Sequence, residues 1–150
     1  MQCVTSLDDL AELVDNWDRE RPLFLRWTRN LDRDLGNEVS RDELTGIELP
    51  GLSANCLAVE PWWGDRSTRA WLGRKLHDYR HLPRRRGEGT RPWVLTGREA
   101  ARGPDNEPLI ADCEAIAEIS DAVIAEASDL VANQPGEWGT LDRAGTRDAS

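Results

Sequence analysis

Residues 91–119, RPWVLTGREAARGPDNEPLIADCEAIAEI, decide the fold of this 150-residue chain. Two short apolar runs, 93–95 and 109–111, flank a segment rich in turn formers, 103–108. Because Gly and Asn tolerate positive φ and each Pro fixes its own φ, this pattern predicts a hairpin-like reversal between two strands. Glu107 would then lie either on a shaped loop that aims its carboxylate or at the solvated tip of a turn.

The composition is that of one soluble globular domain. Hydrophobic residues make up 39% of the chain and charged residues 31%, which is apolar enough to bury a core and too apolar for disorder throughout. No window approaches the roughly 18 apolar residues that a membrane span requires, and the acidic N-terminal region lacks the features of a signal peptide. We therefore expect a cytoplasmic protein.

Cysteine and histidine are too few and too scattered to predict a metal site or a disulfide framework. Cys3, Cys56 and Cys113 are odd in number and widely spaced. His77 and His81 stand at the i,i+4 spacing that can bind a metal, but no third ligand is evident. We therefore expect no metal in this protein.

The charge is strongly polarised along the chain. Residues 66–102 hold 11 Lys+Arg and 3 Asp+Glu, although the whole chain has a net charge of −9. Such a basic segment could contact the phosphates of a nucleotide or a nucleic acid, or it could dock against the chain's own acidic helices. The overall acidity disfavours non-specific coating of nucleic acid, so a small ligand or a protein is the favoured partner.

Apolar residues at three- and four-residue spacing predict three main helices. Ser6 caps the first helix, Asp65 or Ser67 the second and Ser120 the third. A further capping box at 40–43 is expected to lead into a short turn. The predicted helices cover residues 6–20, 65–82 and 121–132.

Together these elements predict an α+β fold. A single domain over residues 1–132 would combine a small mixed or antiparallel sheet with about three main helices. A separate strand is expected near 115–119. The polar, glycine-containing tail, residues 133–150, is expected to be disordered or loosely docked.

Arg26 stands out within the predicted strand 23–28. The alternation of that strand leaves the Arg26 cation among apolar neighbours. A buried guanidinium is costly unless it is paired or faces a cleft. Arg26 is therefore either a structural ion-pair partner or a clamp for a ligand.

Two further groups of residues could contact a ligand. Ser53 and Asn55 follow a turn at 50–51, where they could either hydrogen-bond their own backbone or bind a ligand. Trp62 and Trp63 are two of seven tryptophans in the chain, and their rings could form one wall of a ligand site or pack in the core.

Over residues 20–130 the chain resembles a family of small, uncharacterised actinobacterial proteins. The resemblance rests on LRWTR (25–29), SRDELTGIELPGLSAN (40–55), PWWG (61–64) and GPDNEPL (103–109). That family brings no established activity with it. The fold and the function of the chain must therefore be argued from its residues.

The order Arg26, Ser53, Glu107 is also similar to the Arg-Ser-Glu class of ADP-ribosyltransferases. The similarity implies that Arg26 and Ser53 would position NAD, and that Glu107 would be the catalytic residue that stabilises an oxocarbenium-like state as nicotinamide leaves. The chain departs from that family at Ala54, where a second hydroxyl residue is frequent, and at Asp105, where Gln or Glu is usual.

The residues thus favour a soluble binding or regulatory domain without a defined activity. Two alternatives stay open. One is an NAD-using enzyme that acts through Arg26, Ser53 and Glu107, and the other is a nucleic-acid or phosphate contact through residues 66–102.

Overall fold

The computed structural model describes residues 2–17, 21–41, 45–79, 89–104 and 106–133. Several predicted features lie outside these ranges, namely the predicted ends of the first two helices at 18–20 and 80–82, His81, the part of the basic segment at 80–88 and the tail from 134 onward. Within the described residues, no helix is long and apolar enough to cross a membrane.

Eight strands and four α-helices form the described chain. The strands are β1 (Gln2–Val4), β2 (Leu23–Thr28), β3 (Val39–Arg41), β4 (Glu48–Pro50), β5 (Leu52–Ser53), β6 (Asn55–Cys56), β7 (Arg91–Arg102) and β8 (Pro108–Ile119). The helices are α1 (Leu7–Asp15), α2 (Leu31–Asn37), α3 (Thr68–Asp78) and α4 (Asp121–Ala132), with a single 3-10 turn at Pro61–Trp63.

A mixed sheet organises these elements. Its strand order is β1-β8-β7-β2-β6, and β5 adds to the outer side of β8. Only β1 runs parallel to its neighbour; the other pairs are antiparallel. Strands β3 and β4 form a separate antiparallel ribbon. The predicted α+β class, with a small mixed sheet, is confirmed.

The predicted reversal is the hairpin of β7 and β8, the longest strands of the sheet. Its last paired residues are Arg102 and Pro108. The Gly103 N–H donates to the Glu107 carbonyl at 2.9 Å, and Asn106 adopts a φ of 63°. The separate strand predicted near 115–119 is wrong, since β8 runs without interruption from Pro108 to Ile119.

The helices begin largely as predicted. The Ser6 hydroxyl accepts the Asp9 N–H at 3.1 Å, and the Ser67 hydroxyl accepts the Ala70 N–H at 3.1 Å. Helix α1 is shorter than predicted and ends at Asp15. Ser120 occupies the cap position of α4, but its side chain makes no capping hydrogen bond.

The two faces of the sheet carry two apolar clusters. Because side chains alternate along a strand, Leu23, Leu25 and Trp27 of β2 point to one face and Phe24 to the other. Residues of α1, α3 and α4 cover the first face. The second face packs against Leu31 of α2 and against residues of β5 to β8. By the same alternation Arg26 lies on the second face, next to Phe24.

Candidate functional site

A cleft of about 530 Å³ opens on the second face of the sheet. We call it the arginine cleft. Its lining comes from β2 and the residue after it (Arg26, Trp27, Thr28, Arg29), from α2 (Arg33, Asp34, Asn37), from the β3–β4 ribbon (Val39, Ser40, Glu48) and from Ser53 of β5. This cleft therefore collects three guanidinium groups and two carboxylates.

Arg26 is the buried cation of the arginine cleft. Its Nε donates to Asp34 Oδ2 at 2.9 Å, and only 10% and 9% of the two side chains are exposed. Its Nη1 donates to the Ser53 carbonyl at 2.6 Å and lies 3.4 Å from Ser53 Oγ. The sequence indicated that Arg26 must be either paired or at a cleft, and in the structure it is both.

Local sequence places Asp34 beneath the guanidinium. The Asn30 side chain accepts the Arg33 N–H at 3.0 Å, which caps α2 and starts the helix at Leu31. Leu31 and Asp34 stand three residues apart and so share one helix face. Leu31 anchors that face in the apolar cluster, and Asp34 consequently meets Arg26.

Ser53 is held in the cleft by its backbone. Its N–H donates to Ser40 Oγ at 2.7 Å, and the following N–H of Ala54 donates to the Pro108 carbonyl at 3.1 Å. Gly51 permits this approach, because its φ is 108° and a Cβ there would lie 2.9 Å from the Ile110 carbonyl oxygen. Ser40 itself lies in β3, and residues 42–43 of the capping box predicted at 40–43 lie outside the described residues.

The charges of the arginine cleft do not all cancel within the described residues. Asp34 is engaged by Arg26, and Glu48 is the other lining carboxylate. The Arg33 guanidinium is exposed and forms no ion pair with a residue that the structure describes. A cleft with one more cation than anion favours a negatively charged ligand.

Glu107 lies in the β7–β8 turn, where its carboxylate folds back over Gly103. A Cβ at Gly103 would collide with that carboxylate. The described residues that line the arginine cleft do not include Glu107. Of the three residues in the Arg-Ser-Glu order, the structure thus brings Arg26 and Ser53 into contact and leaves Glu107 in its own turn.

Asn55 has a different environment from Ser53. It pairs with Leu25 at the edge of the sheet, and its Oδ1 accepts the Tyr79 hydroxyl at 3.0 Å. The side chain therefore ties α3 to β6, and it is not part of the lining of the arginine cleft.

Trp62 and Trp63 belong to a cluster of three indoles with Trp71. Ring centroids are 5.4–5.8 Å apart, and Trp63 and Trp71 are each only 1% exposed. Trp63 Nε1 donates to the Ser67 carbonyl at 2.9 Å, and the Arg66 guanidinium lies 4.0 Å from the Trp63 ring centroid. Trp63 and Trp71 thus pack in the core, while Trp62 is half-buried at its margin.

Two arginines of the basic segment, Arg69 and Arg91, pair with acids on the chain's own helices. Arg69 lies 3.0 Å from Asp8 of α1 and 3.4 Å from Glu126 of α4. Arg91 contacts Asp121 of α4 at 2.9 Å. Arg69 and Arg91 thus dock against the chain's own acidic helices, which is one of the two interpretations of this segment.

No group of three or more His, Cys, Asp and Glu side chains is arranged to hold a metal ion in the described parts of the chain. The three cysteines are free thiols. Cys113 lies in a bulge of β8 where the Glu38 carboxylate accepts the backbone N–H groups of Asp112 and Cys113 at 3.0 and 2.7 Å. Burial, together with the nearby Glu38 charge, raises the pKa of Cys113 to about 12.

We expect Cys113 to stay protonated and to resist alkylation at about pH 8, because only the thiolate reacts. Exposed Cys3 should react first. Iodoacetamide labelling of the folded protein followed by peptide mass spectrometry measures each site. Glu38→Gln removes a charge that raises the pKa of Cys113 and should speed its labelling. Equal rates at Cys3 and Cys113 in the unmodified chain would contradict this prediction.

Most residues that line the arginine cleft were not predicted as site residues from the sequence. Sequence analysis did not predict Arg29, Arg33, Asp34, Ser40 and Glu48 as ligand contacts; they come from the residue after β2, from α2 and from the β3–β4 ribbon. One signal was available for Asp34: it lies on the same face as Leu31 in a segment with a helical pattern. Ser40 and Glu48 join the cleft only through the position of the β3–β4 ribbon.

Comparison with known proteins gives a family but no activity. The model of a family of unknown function, DUF6098, matches residues 1–139. Neither the curated proteins nor the solved structures contain a significant match. The family match covers most of the chain, including every element that forms the sheet and the arginine cleft, and the chain therefore belongs to DUF6098.

Proposed function

We propose that this chain is a binding domain whose ligand is a small anion held in the arginine cleft. The observation that carries the proposal is the buried Arg26, fixed between Asp34 and Ser53 at the base of a cleft that Arg29 and Arg33 also line. A guanidinium held by several hydrogen bonds loses little further entropy when a ligand binds.

The lining arginines other than Arg26 attract the anion to the cleft. Asp34 balances Arg26, and the other charged lining residues, Arg29, Arg33 and Glu48, sum to one positive charge. Arginine recognises phosphate and carboxylate through paired N–H donors. Thr28, Asn37, Ser40 and Ser53 add short polar groups that can bond an oxyanion or its substituents.

Titration of the purified chain with inorganic phosphate and with diphosphate, followed by calorimetry, tests the proposal. Arg33→Ala should weaken binding by roughly 10- to 150-fold, because a charge-assisted hydrogen bond contributes roughly 1.5–3 kcal/mol. Arg33 is exposed, so the variant should fold normally. Arg91→Ala is the matched control, since it removes an arginine outside the cleft. Equal binding by the two variants, or no binding by the unmodified chain, would overturn the proposal.

A second candidate is an NAD-using ADP-ribosyltransferase-like enzyme. The contact between Arg26 and Ser53 favours it, because these are the residues that the resemblance assigns to NAD. Its test is NAD consumption by the purified chain and by Glu107→Ala. Turnover that disappears in Glu107→Ala would support the enzyme, whereas turnover that persists would mean that Glu107 is not its catalytic residue. Absence of turnover would leave anion binding as the function of the arginine cleft.

A further inference from the structure

We propose that the ligand of the arginine cleft is an oxyanion that carries a hydroxyl group, with hydrogenphosphate as the simplest example, and that Asp34 accepts a hydrogen bond from that hydroxyl. This inference rests on the proposed function and deepens it. The observation that carries it is a buried carboxylate that binds Arg26 through one oxygen and no described residue through the other.

Asp34 keeps one of its two carboxylate oxygens for a ligand. Its Oδ2 accepts the Arg26 Nε–H at 2.9 Å, and only 9% of the side chain is exposed. Within the described parts of the chain, nothing donates a hydrogen bond to its Oδ1. Asp34 lines the cleft, and Oδ1 is not one of the polar atoms that the fold seals from solvent without a partner. A ligand in the cleft can therefore reach this oxygen.

The Arg26 guanidinium likewise keeps donors for a ligand. Its Nε and Nη1 bond Asp34 and the Ser53 carbonyl, whereas its Nη2 donates to no residue that the structure describes. Nη2 shares its carbon atom with Nε, and Oδ1 shares its carbon atom with Oδ2, so both lie beside the same 2.9 Å hydrogen bond. A ligand at this point meets a cationic donor and a carboxylate acceptor next to each other.

These two neighbouring groups specify the chemistry of the ligand. The Nη2 of Arg26 requires an acceptor, which any oxyanion provides. An ionised carboxylate only accepts hydrogen bonds, so Oδ1 of Asp34 requires a donor and repels a charged oxygen that carries no proton. An anion without a hydroxyl group would displace water from Oδ1 and leave it unpaired, which is unfavourable. An oxyanion with both a charged oxygen and a hydroxyl oxygen satisfies the two groups together.

The other polar groups of the lining suit the charged oxygens of a tetrahedral ligand. The exposed Arg33 guanidinium forms no ion pair with a described residue. The Ser40 hydroxyl accepts the Ser53 N–H at 2.7 Å and can still donate its own hydrogen. A tetrahedral oxyanion points its oxygens in several directions, so Arg26, Arg33 and Ser40 can share them, whereas a planar carboxylate offers only two. The lining thus favours a protonated phosphate over a carboxylate.

Calorimetric titration of the full chain with phosphate, sulfate and methyl phosphate tests this inference. At about pH 8 all three are mainly tetrahedral dianions, because the second pKa of a phosphate monoester is about 6. Only hydrogenphosphate keeps a hydroxyl group on the central atom, so the three ligands differ in the donor and not in charge. We expect phosphate to bind at least about tenfold tighter than sulfate or methyl phosphate, the effect of one charge-assisted hydrogen bond.

The Asp34→Asn variant tests whether this preference comes from Asp34. The amide oxygen can still accept the Arg26 Nε–H, and the amide nitrogen donates where Oδ1 accepted. We expect this variant to bind sulfate at least as tightly as phosphate, with its fold checked by circular dichroism. The matched control is Asp32→Asn, which removes an exposed carboxylate from the same helix and should keep the preference. A folded Asp34→Asn that still prefers phosphate would overturn the assignment.

The outcomes separate this inference from the proposed function. If sulfate or methyl phosphate binds as tightly as phosphate, the hydroxyl requirement fails while anion binding stands. If Asp34→Asn does not fold, the three anions on the unmodified chain decide, because a preference for phosphate supports the inference and equal affinities overturn it. If none of the three anions binds, the proposed function itself fails.

Discussion

Asp34→Ala should lower the free energy of unfolding by about 3–5 kcal/mol, because it leaves the Arg26 guanidinium buried without a counter-ion. Both side chains of this pair are about nine-tenths buried, and their 2.9 Å hydrogen bond is the one charged contact of Arg26 among the described residues. Urea unfolding followed by circular dichroism measures the loss.

Two variants control this prediction. Asp32→Ala removes an exposed acid from the same helix and should change stability by less than about 1 kcal/mol. The double variant Arg26→Met/Asp34→Leu removes both charges and keeps apolar volume, so it should recover most of the lost stability. If Asp34→Ala costs no more than Asp32→Ala, the pair behaves as a surface ion pair and the account of Arg26 is wrong.

Trp71→Ala should cost about 3–5 kcal/mol, the range found for truncation of buried aromatic side chains. The Trp71 ring is 1% exposed and lies 5.4 Å from Trp63 and 5.6 Å from Trp62 between ring centroids. Its indole N–H donates to the Leu57 carbonyl at 3.1 Å, so truncation also leaves that carbonyl without its partner. Urea unfolding again gives the magnitude.

Trp62→Ala is the matched comparison for Trp71→Ala. Trp62 belongs to the same cluster but is half-buried, so less apolar surface returns to water on truncation. We expect it to cost less than half as much as Trp71→Ala. Equal losses of unfolding free energy would show that the three rings act as one unit. The exposure of a ring would then not determine the cost of truncating it.

The spacing of apolar residues correctly predicted the strands and helices in which that spacing is regular from end to end. Strand β2 has the predicted bounds, and α4 covers the predicted residues, because each carries a regular apolar pattern. Strand β8 was predicted only in pieces. Asp112 has a φ of 53°, and the pairing shifts register between Thr96 and Arg98. Such a bulge inverts the alternation of side chains, which removes the signal that identifies a strand.

The candidate site was predictable in part for the same reason. Arg26 was identified because a cation in an apolar strand conflicts with its surroundings, and that conflict is visible in sequence. The position of Glu48 in the lining could not be predicted, since it depends on where the β3–β4 ribbon lies relative to α2. No local pattern encodes a distance between elements. Glu107 was predicted as a site residue because it stands in a turn that the sequence makes conspicuous.

The parallel pairing of β1 with β8 has a consequence for folding kinetics. Gln2 lies opposite Ala117 and Val4 opposite Ile119, so this contact closes a loop of about 115 residues. The β7–β8 hairpin, by comparison, closes across a five-residue turn and can form early. The entropic cost of closing a loop rises with its length, and the pairing of only three residues offsets little of that cost. During synthesis on the ribosome, β1 emerges before the other strands of this sheet and pairs only after β8 has been made.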